Sequence, residues 1–285
     1  MERVQNATGN KFLLRNRHFA LATLMLALAV TLPATARAEG PAGLVTPSTL
    51  TVCMDPTYPP MEFFKATGDA DPVGFDVDLA TALAKEWGLS LRLMKMDFAG
   101  LLPAVQAGRC DMLISGATVQ EKRTKVLPAV PYLKTGRAIL VRKDKAADIK
   151  SPDDLSGRTV AIQTGTSFVD VAKSIDEKLK QAGKPGLNVQ PYPKATEVFE
   201  QLRNGRADAV ITNETEIAYR ATLSPGAFVT AYTFPEREVF GIYFKPSPQT
   251  KTALDSTLAK LRSSNAIKAL ATKWGMPEAN ADISP

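Results

Sequence analysis

Ser115, Gly116, Thr118 and Arg123 fall within nine residues of one another and share one chemistry. Two hydroxyls, a glycine that lets a ligand approach the backbone, and a guanidinium together make a donor set for a carboxylate. The run Cys110 to Ile114 before them is apolar with one acid, short enough for a buried strand. Gly108 precedes that strand where a helix stop belongs, since glycine takes the left-handed conformation without steric cost. Thr118 and Glu121 have capping-box spacing, which predicts a helix from about Val119 with Arg123 in its first turns. In an open α/β sheet ligands bind outside the carboxyl ends of strands, where this cluster would stand. A buried strand followed by a surface helix with a solvated arginine would use the same residues, and local spacing leaves both readings open.

The chain repeats the pattern. Gly205 to Asn213 matches Gly108 to Gly116 position by position, with Gly, Arg, Asp and Ile recurring and Ser115 becoming Thr212. An apolar helical pattern leads into each copy, Leu101 to Ala107 and Val198 to Asn204. Leu50 to Asp55 and Arg158 to Gln163 form a second matching pair. The expectation is two α/β halves of similar build, each offering a polar strand end, with a ligand between them.

The elements that must position these groups follow in order. Thr49 to Met54 reads as the first strand, left through Asp55-Pro56-Thr57-Tyr58-Pro59-Pro60, where flanking prolines hold Tyr58 at the strand's end. Asp76 is placed as the N-cap of a helix whose apolar face ends at Trp87 and Gly88. Leu89 to Met96 is a second strand, and Asp97 caps the helix that carries Phe98. Later strands are expected at Ala138 to Val141, Thr159 to Ile162, Asn188 to Tyr192, Asp208 to Thr212, Phe228 to Phe234 and Glu238 to Phe244. Gln163, Thr166 and Ser167 lie in a Gly/Thr loop opening a helix at about Phe168, a ready anion site; no Lys follows the glycine, so this is not a nucleotide P-loop. Charged residues after Arg142 and the alternating stretch from Glu238 read as two crossings between halves. The resulting division is residues 39–141 with 240–285 in one lobe and 142–239 in the other, and paired linkers permit hinged closure on a ligand.

Residues 1–38 read as a signal peptide: basic Lys11, Arg15 and Arg17, an apolar stretch from Phe19 to Leu32, and Ala36-Arg37-Ala38 before the cut. That segment holds five of the 35 basic residues and one of the 29 acids, so the rest carries 30 and 28, a net charge of +2. The high overall basicity is therefore no reason to expect a nucleic-acid partner. The single histidine, His18, leaves with the signal, which excludes Ser-His and Cys-His nucleophiles. No metal or cofactor motif is evident. Cys53 and Cys110 sit in an oxidising compartment, but as members of neighbouring parallel strands they would be offset beyond disulfide reach and are expected to be buried free thiols.

Taken together, Asp55 to Phe63, Gly74 to Ala80, Met96 to Ala104, Gly108 to Arg123, Gln163 to Ser167 and Gly205 to Asn213 resemble, in order and spacing, the extracellular solute-binding proteins of the polar-amino-acid ABC transporter family. The resemblance runs from Leu50 to Gly275 and implies an α/β, two-lobed periplasmic binding protein type II fold with two crossing hinge strands. It implies a monomeric periplasmic receptor that closes on a small carboxylate solute, such as a polar amino acid or derivative, and delivers it to permease subunits. Tyr58 and Phe98 then resemble the aromatic pair around the ligand. Gly116 and Thr118 resemble donors to its α-carboxylate, Arg123 the guanidinium paired with it, and Thr166 and Ser167 the second lobe's donors. Asp55 and Gln163 occupy positions that reach the distal end. Asn213 departs from the pattern, standing where the family usually has an Asp for the α-ammonium; an amide supplies no charge there. The alternative reading is an enzyme resembling cyclohexadienyl dehydratases on the same fold, with Glu214 or Glu216 as acid.

Overall fold

Strand residues that alternate between two apolar clusters decide the layering of this protein. A computed structural model describes residues 40–283; the expected signal peptide lies outside them. In chain order the elements are β1 (Thr49–Met54), β2 (Thr57–Tyr58), β3 (Glu62–Phe63), α1 (Phe75–Trp87), β4 (Ser90–Lys95), α2 (Phe98–Gln106), β5 (Met112–Leu113), α3 (Glu121–Thr124), β6 (Ala129–Arg142), β7 (Thr159–Gln163), α4 (Phe168–Gln181), β8 (Asn188–Tyr192), α5 (Ala195–Arg203), β9 (Ala209–Asn213), α6 (Glu214–Leu223), β10 (Phe228–Phe244), α7 (Pro248–Ser263) and α8 (Ala266–Lys273). Along β1, Leu50, Val52 and Met54 pack with α1, α7 and α8, while Cys53 points to the opposite face with Leu101 and Val105 of α2. Along β9, Ala209 and Ile211 pack with α4, while Val210 meets Val198 and Phe199 of α5. Helices on both faces are what strands apolar on both sides require.

The sheet has eight strands in the order β4-β1-β5-β10-β6-β9-β7-β8. β4, β1 and β5 are parallel, as are β9, β7 and β8, and the antiparallel pair β6 and β10 joins the two groups. The internal echo is structural. Gly108 and Gly205 both take positive φ, 75° and 70°, after α2 and α5. Asp111 then accepts from Thr51 N and Asp208 from Thr159 N, so each copy is tied to the strand beside it in the same way.

Four local expectations are corrected. β10 is continuous where two strands were expected: Pro235 falls within a register shift between Thr233 and Arg237, where its missing N–H breaks no ladder bond. β6 begins at Ala129 rather than Ala138, because pairing with β10 holds Lys134 to Gly136 extended. Asp76 is not an N-cap; Gly74 takes that place and Asp76 turns inward, fully buried. The capping box at Thr118 does not form either, since Thr118 bridges Phe240 and α3 starts at Glu121.

The cysteine expectation is overturned: Cys53 and Cys110 form a disulfide, with Cα atoms 5.7 Å apart. The assumed offset treated Cys110 as part of a straight strand. Instead the left-handed turn at Gly108, with Arg109 N bonded to Ala104 O and Asp111 N to Thr51 O, drops Cys110 directly beside β1.

Candidate ligand-binding site

Where the carboxyl ends of β1, β5, β7 and β9 converge, a narrow cavity is lined by Tyr58, Phe98, Gly116, Thr118, Arg123, Gln163, Thr166, Ser167 and Asn213. All of these were singled out from the sequence. Asp55 and Ser115 were too, but they lie one layer behind. Asp55 accepts from Gln163 Nε2 at 2.7 Å, and Ser115 Oγ accepts from Asp55 N at 2.9 Å. Phe168 completes the lining and was missed. Its signal was available, as an apolar residue at the first helical position after a Gly-Thr-Ser loop, where a polar first turn is usual.

Arg123 is 8 % exposed and, among the described residues, its guanidinium bonds Thr118 and Gly165 oxygens and has no carboxylate at ion-pair distance. Burial pulls its pKa below the ordinary arginine value, yet a guanidinium stays charged in protein. Nη1 donates to Thr118 O at 2.8 Å and to Thr118 Oγ1 at 3.3 Å, and Nη2 donates to Gly165 O at 3.0 Å. These bonds use three of its five N–H groups, and the Tyr243 hydroxyl is a further hydrogen-bonding neighbour of the guanidinium. The Phe98 ring lies 5.5 Å from the guanidinium carbon. From the other half of the sheet, Ser167 precedes α4 with its hydroxyl unused for capping, while the Thr166 hydroxyl donates to Gln163 O.

The Tyr58 ring rests on Gly116: a Cβ there would come within 2.8 Å of Tyr58 Cε1. The N–H of Gly116, expected to serve a ligand carboxylate, donates instead to Asp76 Oδ2 at 2.6 Å. Asp76 also accepts from Tyr132 OH, and neighbouring Glu62 accepts from Ser115 Oγ. One oxygen of each acid, Glu62 Oε2 and Asp76 Oδ1, is buried without another partner. Burial lifts Asp76 to about 6; burial and the adjacent Asp76 charge push Glu62 well above the usual carboxylate range, so the pair holds a proton. Burial also lifts Asp55 to about 6, outweighing its hydrogen bonds from Thr57 and Gln163. Raised acids favour the folded state at low pH, and that contribution is lost as pH rises through about 6.

The orientation of the Asn213 amide is set by its neighbours. Its Nδ2 lies 3.2 Å from Gly136 O and 3.4 Å from Glu238 Oε2, both acceptors, so Oδ1 faces Tyr58 OH at 2.9 Å. An aspartate at 213 would set an acceptor against two acceptors. Asn213→Asp is therefore expected to destabilise the unliganded protein by about 1–3 kcal/mol, the cost of an unsatisfied buried group. Thermal denaturation at pH 7.5 measures this, and an unchanged midpoint would show that the amide hydrogens are dispensable. Glu238 itself is paired with Arg137.

The sequence from 50 to 277 matches the model for bacterial extracellular solute-binding proteins, family 3. The L-cystine-binding protein TcyJ of Escherichia coli strain K12 is 28 % identical over 228 residues, covering 79 % of this chain and 82 % of that protein. An ancestral arginine-binding protein solved with arginine superposes with a TM-score of 0.72 at 31 % identity, over 80 % of this chain and 98 % of the other. The ancestral amino acid-binding protein AncCDT-1, a precursor of cyclohexadienyl dehydratase, gives 0.71 at 31 % identity, over 80 % and 96 %. These neighbours share the two-lobed α/β architecture. With the family pattern spanning nearly everything after the expected signal peptide, the chain belongs to the bacterial extracellular solute-binding proteins, family 3.

Proposed function

We propose that this protein is the periplasmic substrate-binding component of an ABC importer, and that it captures a small solute through its carboxylate. The observation that carries this reading is Arg123: a buried guanidinium lining a cavity, with no acid paired to it among the described residues and its bonds to Thr118 and Gly165 using three of five N–H groups. A buried unpaired charge is costly, and a bound anion relieves that cost. The relatives support the class, since they bind cystine and arginine, both carboxylates. Tyr58 and Phe98 flank the ligand, Thr118 and Ser167 assist Arg123, and Asp55, Ser115 and Gln163 support the wall in this reading. Mass spectrometry of small molecules released from the protein as purified from periplasm tests it. Recovery of a carboxylate is the expected result; a tightly retained ligand with no acidic group would sink it.

An enzyme of the dehydratase type would need a carboxylic acid at the cavity. Asn213 is an amide, Glu214 pairs with Arg237, and Glu216 is held by Arg220 and Thr212. That arrangement favours capture over catalysis.

The lobes, expected from the sequence as 39–141 with 240–285 and 142–239, are proposed to hinge slightly inside those bounds, near Gly136 and Arg237 where β6 and β10 cross, since Ile139 and Val141 pack with β7, β9 and α4. Gly165 lends this a test. It has φ 77°, and a Cβ there would come within 2.8 Å of Ala99 Cα, a backbone atom of α2 across the cleft. Gly165→Ala should hold the cleft open, costing about 1–3 kcal/mol as overpacking does, or roughly 5- to 150-fold in affinity. Solution scattering with saturating ligand should show wild type contracting and the variant not; equal contraction would argue against closure at this contact.

A further inference from the structure

Behind Tyr58, Gln163 and Phe168 lies a second, narrow cavity that shares those three side chains as walls with the first. Its other walls are mostly aliphatic and aromatic: Ala195, Val198 and Phe199 of α5, with Val210 and Ile211 of β9. Its only acid is Glu216, and both oxygens of that carboxylate are engaged. Oε2 accepts from Thr212 Oγ1, and Oε1 takes Nε and Nη2 of Arg220, whose guanidinium stacks 4.0 Å over Phe199. Asp55, the other acid nearby, is screened by its hydrogen bond to Gln163 and lines neither cavity.

Resting on the carboxylate-binding reading above, we propose that the two cavities form one site, and that the second takes an uncharged apolar side chain of the ligand. Arg123 holds the carboxylate, and the rest of the molecule passes Phe168 into the chamber against α5. A cationic side chain finds no free acid there, and leaving it unpaired in an apolar pocket is unfavourable. A zwitterionic amino acid and its des-amino analogue share the chemistry this chamber reads, namely a carboxylate with an aliphatic tail. The chain would thus differ from relatives that bind arginine, with Phe168 and Val198 as specificity-determining residues.

The test is calorimetry on the full mature chain, stripped of retained ligand by unfolding and refolding. The probes are alanine, norvaline and norleucine, their des-amino acids propionate, valerate and hexanoate, and arginine and lysine. In one or both aliphatic series affinity should rise about fourfold per added methylene until the chamber fills. Arginine and lysine should bind more weakly than norleucine. Val198→Phe, which fills the chamber, should flatten the dependence on chain length; Ala195→Leu serves the same purpose should Val198→Phe not fold. Affinity independent of chain length in wild type, or arginine or lysine binding more tightly than norleucine, would overturn the inference. An unaltered slope in the filled variant would also overturn it. Failure of every carboxylate to bind would overturn the carboxylate reading itself, an outcome distinct from carboxylates that bind without regard to their tails.

Discussion

Arg123→Ala is expected to weaken binding of the native solute by about 2–5 kcal/mol, the cost of removing one partner from a buried hydrogen-bonded charge pair. That is roughly 30-fold to several thousand-fold in Kd. The loss has two parts. The ligand carboxylate would lose its guanidinium partner, and the cleft would lose the tie between Thr118 O and Gly165 O that the guanidinium makes across it. Arg123→Lys should recover little, because a point-charge ammonium cannot serve Thr118, Gly165 and a carboxylate in one plane. Calorimetry on folded variants, checked by circular dichroism, measures both. An Arg123→Ala protein with wild-type affinity would remove Arg123 from the site.

Breaking the Cys53–Cys110 disulfide should cost nearly as much in stability. The bridge closes a loop with a sequence separation of 57. Constraint of the unfolded chain over such a loop is worth about 4 kcal/mol in the chain-entropy picture, with about 2–5 typical for removal of native bridges. For a chain of this size each kcal/mol moves Tm by about 2–4 °C. Scanning calorimetry with and without reductant, and on a Cys53→Ala, Cys110→Ala double variant, should show a fall of about 5–15 °C. Coincident transitions in the oxidised and reduced protein would mean that the bridge does not tether these segments. Ligand affinity should change far less, since both residues pack with Leu101, Val105 and Leu113 beneath α2 rather than at the cavity.

Layering and the placement of chemistry at strand ends were legible in the amino-acid sequence. Alternating apolar residues such as Leu50, Val52 and Met54, helix stops at Gly88 and Gly108, and the repeated Gly-Arg-x-Asp pattern are local signals, readable because periodicity and φ preference act over a few residues. The convergence of Tyr58, Arg123, Gln163 and Asn213 on one cavity followed from the same logic. Sequence signals failed at the places where a distant partner outweighs a local preference. Thr118 had capping-box spacing but pairs with Phe240, 122 positions away. Phe228 to Phe234 and Glu238 to Phe244 read as two strands, yet pairing with β6 joins them across a bulge in β10 that holds Pro235. Gly116 N–H was offered to a ligand, but Asp76 takes it, a bond visible only once α1 packs beneath the site. The two cysteines were separated by a strand-rise argument that holds for straight strands and fails at a left-handed turn. Asn213 shows both sides: its missing charge was plain in the sequence, while the direction of its amide depends on Gly136, Glu238 and Tyr58, brought to it by β6, β10 and the loop after β1.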